Sequence, residues 1–184
     1  MKLNRLFIAL GMIMAAGVVN AADKGDDATT NAADQGHGTI TFTGSITDSP
    51  CSITAETANQ TVDLGQVASS ALSNGQTSSP VNFFIQLEQC DASKLSSGAS
   101  VGFTGATDAN NDDMLGITGS ASGAGIVITD GSGTPVKLDG TLSNAQTVGD
   151  GSNKLSFSAY VQANGASVTA GDFSSTADFK LSYN

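Results

Sequence analysis

The stretch Asp178-Phe179-Lys180-Leu181-Ser182-Tyr183-Asn184 decides the fold, because apolar and polar residues alternate along it without a break. Such alternation predicts a β-strand with one buried face, and in this sequence nothing follows that could pair with it. A second alternating stretch, 38–46, precedes the first cysteine. A strand without a neighbour and a spare strand suggest that each copy completes the next. We therefore expect a subunit of a polymer rather than an enzyme.

The first 21 residues have the pattern of a secretory signal peptide. Two basic residues precede an apolar run of 14 residues, Leu6 to Val19, and small residues follow up to Ala21. The run is short for a membrane span, so we expect no membrane insertion after the signal is removed. Cleavage is predicted after Ala21, with Ala22 as the alternative.

The charge balance excludes several classes of partner. The chain has seven basic and 17 acidic residues, and the signal carries two of the basic ones, so the mature chain has a net charge of −12. Nucleic acid needs cations that replace its counterions, and anionic membrane surfaces attract basic segments. We therefore expect neither as a partner.

Cys51 and Cys90 are the only cysteines in the chain. A secretory route delivers them to an oxidising compartment, where a disulfide is the expected outcome. Two cysteines and the single histidine cannot supply the four ligands of a structural zinc site.

Composition divides the mature chain into a lead and one all-β domain. Residues 22–37 are predicted to be mobile, because residues 22–35 contain no large apolar side chain. Short alternating runs separated by Gly, Asn, Asp and Ser clusters then predict a β-sandwich over 48–184, with one possible helical turn at Ala68 to Leu72. The predicted strands are 38–47, 51–55, 60–67, 80–90, 99–105, 124–130, 134–138, 142–148, 154–163 and 172–183.

Several motifs, in this order and spacing, resemble those of one family. They are Gly38-Thr-Ile-Thr-Phe-Thr-Gly44 before Ser49-Pro50-Cys51, Gln60-Thr-Val-Asp-Leu-Gly65, Phe83-Phe-Ile-Gln-Leu87 before Cys90-Asp91, Gly125-Ile-Val-Ile-Thr-Asp130, and Tyr183. The chain resembles the major subunits of chaperone–usher pili, the type 1-like fimbrial pilins, over residues 36–184.

The resemblance implies an incomplete immunoglobulin-like sandwich that lacks its last strand and is completed in trans by donor-strand complementation. A periplasmic chaperone would fill the groove first, and a neighbouring copy would fill it after export through an outer-membrane usher to the cell surface. No cofactor or metal is implied. The implied donor residues are Gly38, Ile40, Phe42, Gly44 and Ile46. The implied acceptor and chaperone-binding edge is Phe179, Leu181, Tyr183 and Asn184, whose carboxylate the chaperone would hold.

Other interpretations stay open at this point. Mature chains of the family commonly begin near the position of Ala33 or Asp34, so the role of residues 22–33 is undecided. Periodicity alone also allows 38–46 to be the first strand of its own sandwich. The alternative functions are a minor or tip-proximal fimbrial subunit that binds a receptor, and a free-standing secreted sandwich or hydrolase that is a stable monomer without a chaperone.

No constellation of residues predicts catalysis or metal binding. The spacing implies no Ser or Cys nucleophile beside His37, which is interpreted as a solvated residue before a strand. Asp108–Asp113 begins like a calcium loop but has Asp113 at its glycine position and Gly119 at its closing carboxylate position. We therefore expect an exposed polar loop there. Asn59 satisfies a glycosylation sequon, but a bacterial export route makes its use improbable.

Overall fold

The computed structural model describes residues 36–184. The predicted signal peptide, 1–21, and residues 22–35 of the predicted lead lie outside the described residues. The chain divides into a unit that ends at Ser45 and a compact unit, Ile46–Asn184. No helix in the described part of the chain is long and apolar enough to cross a membrane.

The compact unit is built from β-strands with three short helical segments, which confirms the all-β prediction. The helical segments are α1 (Ala55–Ala58) and two 3-10 turns, Ser69–Gly75 and Ala92–Lys94. The strands are β1 (Ser52–Ile53), β2 (Val81–Cys90), β3 (Ala99–Gly105), β4 (Thr107–Asp108), β5 (Asn111–Gly116), β6 (Thr118–Gly119), β7 (Ala124–Asp130), β8 (Asp139–Leu142), β9 (Gly151–Ala163), β10 (Phe173–Ser174) and β11 (Ala177–Tyr183).

Two antiparallel sheets enclose the core. The larger sheet has the order β1-β2-β9-β7-β5-β4, the smaller has the order β11-β3-β8, and β10 pairs with β6. Ile85 and Leu155 from the larger sheet and Val101 from the smaller are fully buried in one cluster. Burial of side chains of this size contributes roughly 1.5–3 kcal/mol each, so this seam holds the two sheets together.

The predicted disulfide is present. Cys51 and Cys90 are bonded, and both are buried in the main core cluster. The bond fastens the beginning of the compact unit to the end of β2. That arrangement fixes the point from which the preceding residues leave the domain.

Strands with strong apolar alternation match their predictions, and weaker ones do not. Predicted strands 99–105 and 124–130 have the observed bounds of β3 and β7. The prediction over 134–138 is wrong, because Pro135 has no N–H for a ladder and only a bridge to Thr129 forms. The prediction over 142–148 is also wrong, since β8 ends at Leu142 and only Gln146 bridges to β3.

The predicted polar loop at 108–113 is a β-hairpin. β4 and β5 pair through Thr107 and Leu115, and the Asp108 carboxylate is buried. It accepts hydrogen bonds from the Asn164 side-chain amide at 2.8 and 3.0 Å and from the Asn110 N–H at 2.8 Å. The distant partner Asn164 explains the error, because local polarity does not reveal it.

Two predicted strands, 38–47 and 60–67, lie outside every sheet of the described chain. The prediction over 60–67 is therefore wrong for the single chain. The prediction over 38–47 is of a strand that forms in another copy, so it stays a prediction. A strand is defined by its ladder of hydrogen bonds, so an alternating sequence without a partner does not form one. Both stretches have the right pattern and lack a neighbour.

Candidate functional site

Strand β11 forms one edge of the smaller sheet. It pairs with β3 without interruption from Ala177 opposite Gly105 to Tyr183 opposite Ala99. No described residue pairs with its other side. Unpaired edges attract further strands, and soluble proteins usually shorten, charge or cover them. This edge is long and regular, which makes it the candidate site in the described chain.

The hydrogen bonds of β3 show to which side each backbone N–H and C=O group of β11 points. Ala99 exchanges hydrogen bonds of 2.9 and 2.8 Å with Gln146, so odd-numbered residues of β3 face β8 and even-numbered ones face β11. Asn184 donates its N–H to Gly98 at 3.1 Å, in phase with that pattern. Antiparallel strands alternate their backbone bonds between the two sides. The even-numbered residues of β11 therefore bond to β3, and the odd-numbered ones point to the empty side.

The residues whose backbone groups face the empty side also carry the apolar side chains. Ala177, Phe179, Leu181 and Tyr183 are each partly buried and packed against the main core cluster, whereas Asp178 and Lys180 are exposed. One set of four residues thus offers both free backbone donors and acceptors and an incomplete apolar surface. An incoming strand would satisfy both.

The floor beside this edge is aromatic. The Phe103 ring lies 6.4 Å from that of Phe179 and 5.1 Å from that of Phe157, which in turn lies 5.7 Å from that of Phe83. These contacts form one aromatic cluster that reaches from the larger sheet to Phe179. The sequence analysis did not identify Phe83, Phe103 and Phe157 as part of the site. Their alternating positions in strands were the available signal.

Part of the apolar surface around the main core cluster stays in contact with water. Several apolar side chains that pack on the main cluster stay half-buried. They are Leu64, Phe83, Leu95, Ile117, Phe173, Ala177, Phe179, Leu181 and Tyr183. Apolar area left in contact with water costs about 25 cal/mol per Å² relative to burial. The surface is therefore suited to receive a strand with apolar side chains on one face.

The Tyr183 end of the edge is held in place by polar contacts. The Asn184 backbone oxygen accepts hydrogen bonds from the N–H groups of Ser96 and Ser97 at 2.6 and 2.7 Å. The Tyr183 hydroxyl is buried without a well-aligned hydrogen bond. Burial raises the pKa of this phenol, and the nearby Ser49 hydroxyl partly opposes the shift. Ser49 therefore lies at this end of β11.

Residues 38–46 expose their large apolar side chains and have open space around their glycines. The Ile40 side chain is 78% exposed, Phe42 is 88% exposed and Ile46 is also fully exposed. A Cβ added at Gly38 or Gly44 would meet no atom within 4 Å. The single chain therefore gives no steric reason for a glycine at position 44.

The polar groups that were considered for chemistry lie on the surface or in the β4–β5 hairpin. No group of three or more His, Cys, Asp or Glu side chains in the described part of the chain could hold a metal ion. The buried Asp130 carboxylate accepts hydrogen bonds from Ser132, Thr134 and Asn144 and organises its own turn. His37 and Asn59 are exposed.

Comparisons with known proteins agree with this architecture. The family model described as "Fimbrial protein" matches residues 40–184. The "Fimbria A protein" of Serratia marcescens is 51% identical over 185 residues, which cover 100% of this chain and 99% of the relative. The "Major MR/P fimbria protein" of Proteus mirabilis (strain HI4320) is 44% identical, again over 100% of this chain and 99% of the relative.

Two solved structures are similar in both fold and sequence. A chain from a chaperone–usher pilus has a TM-score of 0.72 and 36% identity, and the match covers 82% of this chain and 97% of that one. The crystal structure of the P pilus rod subunit has a TM-score of 0.66 and 35% identity, with 74% and 100% covered. In fold and sequence, this chain is thus similar to subunits of pili.

Proposed function

This chain belongs to the fimbrial protein family. On that premise we propose that it polymerises by adding residues 38–46 as a strand to the open β11 edge of another copy. The chain is a structural subunit of a pilus on the cell surface. Its relatives are named as major fimbrial subunits and a pilus rod subunit, which favours a role in the shaft over one as a tip adhesin.

The observation that carries the proposal is that the outer side of β11 lacks both backbone hydrogen-bond partners and full apolar cover. Ala177, Phe179, Leu181 and Tyr183 offer unpaired backbone groups and half-buried apolar side chains together. Addition of an extended segment to a sheet edge uses both, since main-chain bonds give affinity and alternate side chains give specificity.

The segment 38–46 has the complementary pattern. Successive side chains of a strand point to opposite faces, so Ile40, Phe42 and Ile46 share a face with Gly38 and Gly44. Burial of each large side chain in a neighbour would contribute roughly 1.5–3 kcal/mol. The opposite face carries only Thr and Ser between Gly38 and Ile46, which suits a side left in contact with water.

The shape of the groove suggests a register. The rings of Phe83, Phe103, Phe157 and Phe179 form one continuous series of contacts that ends at Phe179. We propose that the residue opposite Phe179 is one without a side chain, because a ring already occupies this level. Gly44 is the inward-facing residue that meets this need in the middle of the segment. Its glycine identity, unexplained in the single chain, then has a steric reason.

An antiparallel orientation fits this register better than a parallel one. With Gly44 opposite Phe179, antiparallel pairing places Ile46 opposite Ala177, Phe42 opposite Leu181 and Ile40 opposite Tyr183. Every inward residue from 40 to 46 then meets an inward residue of β11, and large side chains meet small ones at two of the four levels. The parallel alternative would set the Asp48 carboxylate opposite Tyr183, where an unpaired charge is costly to bury.

The same edge implies partners during export. An exposed apolar edge promotes aggregation unless it is covered. We propose that a periplasmic chaperone covers this edge. At an outer-membrane usher, residues 38–46 of the next subunit then replace the chaperone. Assembly by strand exchange needs no nucleotide or metal, because the better-fitting strand supplies the free energy. Asn184, at the end of the edge, is the position where the chaperone would hold the subunit.

The test is Gly44→Asn, with Thr43→Asn as the matched control on the outward face. We expect Gly44→Asn to leave periplasmic subunit at the parental level and to abolish filaments in electron micrographs, because its side chain would meet the ring of Phe179. Thr43→Asn should form filaments at the parental level. Normal filaments from Gly44→Asn would refute the proposed site.

A further inference from the structure

The larger sheet has a second edge, along β2, that is only partly paired with a strand. On this side β1 pairs with Leu87 and Glu88, and no strand of the described chain pairs with Val81–Gln86. The stretch Val81–Leu87 has no charged residue and no proline, and five of its seven residues are Val, Phe, Ile or Leu. Segments of this composition add readily to strands of other molecules when their edge is exposed. The β2 edge is therefore a competing place for strand addition unless it is covered.

Groups from α1 and the residues beside it cover the backbone of the β2 edge. The Gln86 N–H donates a hydrogen bond to the Thr57 hydroxyl at 3.1 Å, and the Gln86 carbonyl accepts one from the Thr54 N–H at 3.2 Å. The next residue that faces this side is Phe84, because the backbone groups of a strand alternate between its two sides. The Phe84 carbonyl accepts a hydrogen bond from the Gln60 side-chain amide at 3.2 Å. Two side chains thus take hydrogen-bonding positions that a neighbouring strand would use.

The covering side chains hold one another in place. Thr54 precedes α1 and Thr57 lies within it, and their hydroxyls form a hydrogen bond of 2.9 Å. Thr57 is buried, and its carbonyl accepts a second hydrogen bond from the Gln60 amide at 3.3 Å. Pro80, just before β2, has no N–H that could extend the edge further. The cover is therefore a fixed part of the subunit.

We propose that the Thr57 and Gln60 side chains close the β2 edge to strand addition and so restrict an incoming segment 38–46 to β11. A strand that added along β2 would first have to break the bonds of these side chains to Gln86 and Phe84. In the described chain, the outer side of β11 has no such cover. Thr57 and Gln60 are thus specificity-determining residues that decide which of two sheet edges is used. This inference rests on the proposed function.

Removal of the two covering groups tests the proposal. Thr57→Val combined with Gln60→Leu removes the hydroxyl and the amide and keeps the side-chain sizes similar. The matched control, Thr61→Val with Gln66→Leu, makes the same changes at exposed residues that form no hydrogen bond to β2. The probe is a fluorescent peptide of residues 38–46, added to purified filaments. In parental filaments the β11 edges are already occupied, so the peptide should bind only at filament ends.

We expect Thr57→Val/Gln60→Leu filaments to bind about one peptide per subunit, because strand addition needs free backbone groups. Parental and control filaments should bind on the order of tenfold less or lower. Parental-level binding by the Thr57→Val/Gln60→Leu filaments would overturn this inference. Binding of about one peptide per subunit by parental filaments would show that β11 is empty, and it would overturn the proposed function and this inference with it.

Single variants keep the test independent of the double substitution. Gln60→Leu changes only an exposed side chain, and its filaments should bind peptide above the parental level. Hydrogen exchange without peptide then reports on Thr57. The Gln86 N–H should exchange faster than in the parent in Thr57→Val and at the parental rate in Thr57→Ser, which keeps the hydroxyl. Parental exchange in Thr57→Val, or parental peptide binding by Gln60→Leu, would overturn the inference.

Discussion

Replacing Phe42 by Ala should weaken the filament while leaving the subunit intact. The Phe42 ring is 88% exposed in its own chain, so its removal takes away almost no contact there. In the proposed register the ring lies opposite Leu181 in the core of a neighbour. Truncation of a buried phenylalanine costs about 3–5 kcal/mol. Because the groove is open on one side, we take the lower figure of about 3 kcal/mol, which is a factor of more than 100 in the dissociation constant.

The assay follows the release of subunits from purified filaments across a series of guanidinium concentrations. Phe42→Ala filaments should release subunits at clearly lower denaturant than parental filaments, whereas the periplasmic yield of the subunit should match the parent. Thr41→Ala is the matched control, because the Thr41 side chain faces away from the groove and surface substitutions change stability by about 0.5 kcal/mol or less. Equal release by Phe42→Ala and parental filaments, or an equal loss from Thr41→Ala, would refute the register.

The remaining predictions concern the fold of the subunit. Cys51→Ala should lower periplasmic subunit abundance before any effect on polymer contacts, because loss of a native disulfide costs about 2–5 kcal/mol, and unchanged abundance on immunoblots would contradict a structural role. Burial raises the pKa of the Asp130 carboxyl, but hydrogen bonds from Ser132, Thr134 and Asn144 outweigh that effect and leave the pKa below its usual range. This stabilisation is present above the unfolded-state pKa of about 4 and is lost as the pH falls below it. Unfolding midpoints should therefore fall more steeply in acid for the parent than for Asp130→Asn, and parallel curves would count against this role.

The parts of the fold that could be predicted from sequence are those whose partners lie within the chain. Strands β3 and β7 alternate or are continuously apolar and pack in the centre of the two sheets, so pattern and structure agree. The stretches 38–47 and 60–67 have equally good patterns but no ladder partner in the described chain. Local pattern specifies the capacity to form a strand, and only a neighbour turns that capacity into a strand.

The edge residues of the site were predictable from the sequence, but the aromatic side chains beside them were not. The alternation of Phe179, Leu181 and Tyr183 indicated an edge, because it is a local property of the sequence. The aromatic floor arises from Phe83, Phe103 and Phe157 on three different strands, and no local pattern reveals that they meet. The proposed steric reason for a glycine at position 44 is the ring cluster at Phe179, so it could be argued only after the rings were located.

High-resolution electron cryomicroscopy of the assembled filament tests most directly whether a second copy completes the open sheet. The map should contain an added strand beside β11, continuous with the body of an adjacent subunit, with Gly44 over the Phe179 ring and Ile46 beside Ala177. A bare β11 edge, or a strand there that traces back to the same subunit, would contradict the proposed assembly.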